Sequence, residues 1–202
     1  MDYPAFFDEV PGIRVHDPLL AFLGASRDGV IHYGYLDAVK LAGHSCPTVA
    51  GAYLMVLKGL AALYGDVLPE RGGIRVYFPD AQESGTTGVI ANVFGLITGA
   101  ASSAGFKGIA GSFNRSGLMS FTAPVDGVAT LHRIDTGASV TLRYQPEVVS
   151  PDPALRPLMQ RTISGQASDG ERQRFADLWQ DRVRRILVDH RDDPALVLVT
   201  RG

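Results

Sequence analysis

At 202 residues, with 46% hydrophobic and 20% charged side chains, the chain has the length for one well-buried core and the composition of an ordinary globular domain. Its 19 basic and 21 acidic residues leave a net charge of −2, which argues against nucleic acid or an anionic membrane surface as the main partner, since both require a basic footprint. Cys46 is the single cysteine, so no intramolecular disulfide is possible; the first ten residues carry no signal-peptide pattern, and the expected compartment is the cytoplasm, where Cys46 stays reduced.

In chain order, residues 1–30 read as irregular, apart from a short apolar helix after Asp17-Pro18 through Leu19, Leu20, Phe22 and Leu23. Residues 31–41 read as extended. A turn follows at Ala42-Gly43-His44-Ser45-Cys46-Pro47, and a helix runs from it to about Tyr64. Pro47 suits the first helical position, where a missing N–H costs nothing. Lys58 is the only charge on that helix, so burial on most sides is expected. Ile74, Val76 and Phe78 alternate with other positions and read as a strand.

Ser84 to Phe106 carry no charge, but Gly85, Gly88, Gly95, Gly99 and Asn92 interrupt them. A membrane span needs about 20 mostly large apolar residues, so a buried helix over 86–101 is expected instead. Short strands over 107–113 and 118–122 come next. A hairpin then pairs 128–134 with 139–144 around Asp135-Thr136-Gly137, residues that tolerate tight-turn angles. That Asp-Thr-Gly also resembles an aspartic-protease loop, where two carboxylates share a proton. The later strand glycine such proteases need is missing, so the turn is the reading adopted.

Pro146, Pro151, Pro153 and Pro157 mark a boundary. It divides the chain into an α+β domain over 1–150 and a C-terminal helical extension over 151–202. Ser168 and Glu171 have capping-box spacing, and Phe175, Leu178, Trp179, Val183, Ile186, Leu187 and His190 follow at helical intervals. That stripe must pack on the domain or on a second copy of the chain, and a homodimer is the expectation it motivates. The arginines of this region (Arg172, Arg174, Arg182, Arg184, Arg185) alternate with acids, as on a solvated helix face.

The residues with the strongest chemical potential are His44 and Cys46. Two apart in an extended segment, they project to one side, and an imidazole beside a sulfur suits zinc, and also iron or copper. Cys46 falls where the following helix needs its N-cap, so its sulfur meets unpaired N–H groups and the positive end of the helix dipole. Spacing alone does not separate such a pair from a structural cysteine with a nearby histidine. The same pair is compatible with haem, the Cys-Pro thiolate serving as axial ligand, or with a nucleophilic cysteine and a histidine base. His32, on the approach to the turn, is a secondary candidate. His16, His132 and His190 read as surface or packing residues.

Lys40-Leu41-Ala42-Gly43-His44-Ser45-Cys46-Pro47, leading into a helix with Gly51, resembles the K-F-H-G-H-x-C-P-G signature of the FmdE family of formylmethanofuran dehydrogenase components. Leu96-Ile97-Thr98-Gly99 resembles that family's L-T-G, and Phe113-Asn114-Arg115-Ser116-Gly117 falls near its D-x-G-K. The resemblance spans about 31–145. It implies a two-layer α+β fold, helices packed on a mainly antiparallel sheet in the order helix, strand, helix, strands. It also implies a metal site, zinc being the expected ion, that binds or processes a small ligand. The chain departs from the family at Ala42, where the first histidine of the signature stands, and at Ala100 and near Gly88, where cysteines are expected; Leu118 replaces a lysine, and the cysteine-rich appendage is absent. Only His44 and Cys46 carry over as ligands. Further donors would be a carboxylate, with Asp37, Asp80 and Glu83 the nearest by alignment, or water or the small ligand itself.

Overall fold

The computed structural model describes residues 3–202. Its first paired strands, β1 (Ile13–His16) and β2 (Val30–Tyr33), form an antiparallel ribbon. Between them lies α1 (Pro18–Phe22), the short apolar helix expected after Asp17. The Asp17 carboxylate caps it by accepting the N–H groups of Leu19 and Leu20 at 2.9 and 3.3 Å.

Residues 31–41 are not extended throughout. After β2 the chain turns into α2 (Tyr35–Ala42). Tyr35, Ala38 and Val39 are its buried residues, a spacing of three and four that belongs to a helix and not to a strand. The Asp37 carboxylate starts the helix by accepting the Gly34 N–H at 2.8 Å.

The central element is α3 (Pro47–Tyr64), with Pro47 in its first turn as expected. Residues 49–56, Gly59, Leu60 and Tyr64 are buried. By length and composition α3 could cross a membrane, but 67% of it is buried inside the fold, and it is a core helix. Glycine lets the sheet come close to it. A methyl group on Gly51 would overlap the Tyr144 ring, and one on Gly59 would stand 2.7 Å from Leu131.

That sheet has five strands: β3 (Ile74–Tyr77), β4 (Met119–Ser120), β5 (Ala129–Arg133), β6 (Ser139–Tyr144) and β7 (Val197–Arg201), in the order β4-β3-β5-β6-β7. Only β3 and β4 run parallel. Ile74, Val76, Ala129, Leu131, Val140 and Leu142 point to one face and are at most 1% exposed. With α3 and α4 (Thr87–Thr98) they form the two-layer core. The fold is α+β, and the Asp135-Thr136-Gly137 turn joins β5 to β6 as expected, its carboxylate held by Arg133 at 2.7 Å.

Other expectations change as well. Residues 107–113 form no strand. Ala110 and Phe113 have φ of 48° and 63°, which strand geometry forbids, and a single bridge between Ile109 and Ser112 remains. The C-terminal extension is also not wholly helical. It supplies α5 (Leu155–Ile163) and α6 (Asp169–Arg184), the latter opened by the Ser168–Glu171 capping box and prolonged by a wider π-type turn over Arg185–Asp189. It then returns as β7, paired along β6 from Tyr144↔Val197 to Val140↔Arg201. Val183, Ile186 and Leu187 are fully buried against the chain's own core, which Trp179 joins.

Candidate metal centre

The turn between α2 and α3 is built by three local devices. Gly43 ends α2 in the left-handed region, φ 76°, with its N–H on the Val39 carbonyl at 2.8 Å. Cys46 is the N-cap of α3, in extended backbone, and its Sγ accepts the Val49 N–H at 3.4 Å. Pro47 follows without an N–H to satisfy. The sequence reading of Cys46 as an N-cap therefore matches the geometry.

The two candidate ligands face different surroundings. Cys46 is 8% exposed and belongs to the core. Burial pushes the Tyr35 phenol up despite the opposing bond to Ser45, and burial likewise raises Tyr144; both are neutral hydroxyls near pH 7. His44, in contrast, is exposed. Its Nδ1 lies 2.9 Å from the Ala42 carbonyl, which can only accept, so Nδ1 carries the proton and the Nε2 lone pair is left over. The ring lines a 110 Å³ cavity with Leu41, Ala42, Val89, Asn92 and Val93, and Cys46 is not part of it. The segment is bent at His44, so the alternation of an extended strand does not apply.

Ser45, between the two, is gripped from both sides. Its carbonyl accepts the Trp179 Nε1–H at 2.9 Å and the Gln180 Nε2–H at 3.2 Å, and its hydroxyl lies 3.0 Å from that of Tyr35. Tyr144 donates to the Pro47 carbonyl at 2.8 Å, across the space Gly51 leaves open. None of these four supporting side chains was nominated from the sequence. Only Gly51, an entropically costly residue inside a helix, hinted at a close packing partner.

The remaining candidates lie elsewhere. Asp37 is engaged in capping α2. Asp80 and Glu83 are exposed in the segment between β3 and α4, and Asp80 lines a different cavity from His44. His32 is exposed on β2, paired opposite Arg14. Among the described residues, no group of three or more His, Cys, Asp or Glu side chains comes together as a metal-binding cluster. Nor does a hydrogen bond join His44 to Cys46, whose bonds go to Ala42 and Val49. An imidazole nitrogen and a sulfur are donors of the kind zinc takes, and the two together would supply only two of its four tetrahedral positions.

No family model matches the chain, and no curated protein matches it.

Proposed function

We propose that the protein is an FmdE-like metal-binding protein, with zinc bound at the turn before α3 by Cys46 and His44 and the remaining positions taken by water or a small ligand. The observation that carries this reading is the state of the His44 ring. The Ala42 carbonyl lies 2.9 Å from Nδ1 and, by accepting from it, leaves Nε2 as the nitrogen that could coordinate, the part outer-shell carbonyls play for metal-bound histidines. Cys46 adds a sulfur at the positive end of an 18-residue helix. The Ser45 carbonyl, tied to Trp179 and Gln180, limits how far the turn between them moves. A zinc ion there would supply Lewis acidity toward a bound water or carbonyl. The chain's own part is to hold the ion and keep the turn in place.

The test compares metal content in the wild type, His44→Ala and Cys46→Ser. Serine is a good N-cap and preserves the helix start, but its hydroxyl is a poor zinc ligand. The expected result is about one zinc per chain in the wild type, little in either variant, and thermal melts showing all three folded. Full occupancy in Cys46→Ser would remove Cys46 from the site. A visible spectrum with a Soret band, lost in the double variant, would assign the same residues to haem.

A further inference from the structure

The core lies against one face of the five-stranded sheet, and the other face is open. Leu131 and Leu142, pointing inward, are fully buried, whereas no outward-pointing residue of the five strands is buried. The strand register fixes how the outward residues stand. Arg75, His132 and Ser139 lie side by side in one row. Tyr77, Thr130 and Thr141 lie in the next, where the two threonine hydroxyls are 3.2 Å apart. Arg143 and Leu198 make a third row.

Charge on this face has one sign. Arg75 and Arg143 are exposed, and neither has an ion pair or a side-chain hydrogen bond among the described residues. No Asp or Glu points outward from any of the five strands. With neighbouring strands about 4.8 Å apart and residues rising about 3.4 Å along each, the backbones of the two arginines stand about 17 Å apart. Tyr77, Thr130 and Thr141 occupy the row between them. His132, directly opposite Arg75, has its Nδ1 buried without a partner, so the first row holds a polar atom that the described chain does not satisfy.

Unpaired cations on an acid-free face are complementary to an anionic partner. Two arginines are too few for nucleic acid, where binding rests on many phosphate contacts. They are also too few for an anionic membrane, which takes clusters of about four to eight basic residues. Arginine and tyrosine, in contrast, are the side chains that anchor protein contacts. Five strands make a face only about 19 Å wide, narrower than a standard interface of about 800 Å² per partner requires. We propose that the open face of the sheet docks a short acidic segment of a partner protein, its carboxylates on Arg75 and Arg143 and its backbone over the Tyr77–Thr130–Thr141 row.

The test is an NMR titration of the isotope-labelled full chain at low salt, with decaglutamate as the probe. The expected result is a Kd of about 1 mM or tighter, with the amide shifts centred on β3, β5 and β6. Replacing both arginines, Arg75→Gln with Arg143→Gln, should weaken binding at least about tenfold and leave the thermal melt unchanged, because charge-assisted hydrogen bonds are lost from exposed positions. Decathymidylate in the same titration, and phosphatidylserine vesicles in co-sedimentation, are expected to bind more weakly. No binding of decaglutamate overturns the proposal, as does undiminished binding in the double variant. Shifts centred on the arginines of α6 would also overturn it, and so would tighter binding of the oligonucleotide or the vesicles.

Discussion

Asp17 illustrates how much one side chain can organise. Its carboxylate caps α1 and meets Arg71 at 2.8 Å and Arg115 at 2.7 Å, at 5% side-chain exposure. Arg115, 8% exposed at the side chain, also donates to the Arg71 carbonyl. Burial alone would raise the Asp17 carboxyl; the Arg71 hydrogen bond and the charges of Arg115 and Arg71 outweigh it and hold the group below the usual carboxylate range. The stabilisation is therefore full above the unfolded value of about 3.9 and is lost as pH falls through the lower folded value. Asp17→Asn keeps the cap but leaves Arg115 buried without its counter-charge, and should cost about 3–5 kcal/mol in urea unfolding at pH 7. The gap between wild type and variant should close as pH drops below about 4. A difference under about 1 kcal/mol at pH 7 would show that the pair is not formed. The sequence marked Asp17 only as the start of a short helix. Its partners are 54 and 98 residues away, beyond any local pattern. His44 and Cys46 were legible because their signal is local: a histidine, a cysteine and a proline at one helix start.

At the scale of elements, legibility follows the length over which a pattern repeats. α3 and the β5–β6 hairpin were readable because an apolar run with Pro47 at its head, and alternation around an Asp-Thr-Gly turn, are each long enough to define a period. α2 does not show in the sequence because its eight residues bury only Tyr35, Ala38 and Val39, too few to separate a helical period from a strand's. The 107–113 segment failed for another reason. Its apolar residues are interspersed with glycines, but the backbone at Ala110 and Phe113 is left-handed, and Asn114 turns the chain by bonding both the N–H and the carbonyl of Ser116. The close approach of α3 to β6 gives a test in which two effects oppose. Intrinsic helix propensity favours alanine over glycine by about 1 kcal/mol, whereas a methyl at Gly51 would overlap the Tyr144 ring, and overpacking costs about 1–3 kcal/mol. Packing is expected to win, so Gly51→Ala should lower stability in denaturant unfolding. A stabilised variant would mean that α3 and Tyr144 lie further apart than described.

For the whole molecule, the proline-rich boundary is a change of direction and not the end of a domain. After it the chain packs α6 on the core, contacts the candidate site and closes the sheet with β7. β7 escaped the sequence because Val197 is buried, Leu198 is 43% exposed and Val199 half-buried, an alternation too short to stand out beside a strong helix. The apolar stripe of α6 was legible, but the surface it covers was not; Val183, Ile186 and Leu187 fill the chain's own core. Trp179 and Gln180 reach the Ser45 carbonyl from more than 130 residues away, so the tail helps set the geometry of the turn between the two proposed ligands. The most direct test of the metal reading is X-ray absorption at the zinc edge on purified wild-type protein loaded with one equivalent of zinc. The account predicts one sulfur at about 2.3 Å together with nitrogen and oxygen donors at about 2.0 Å; a shell of nitrogen and oxygen alone, with no sulfur, would contradict it.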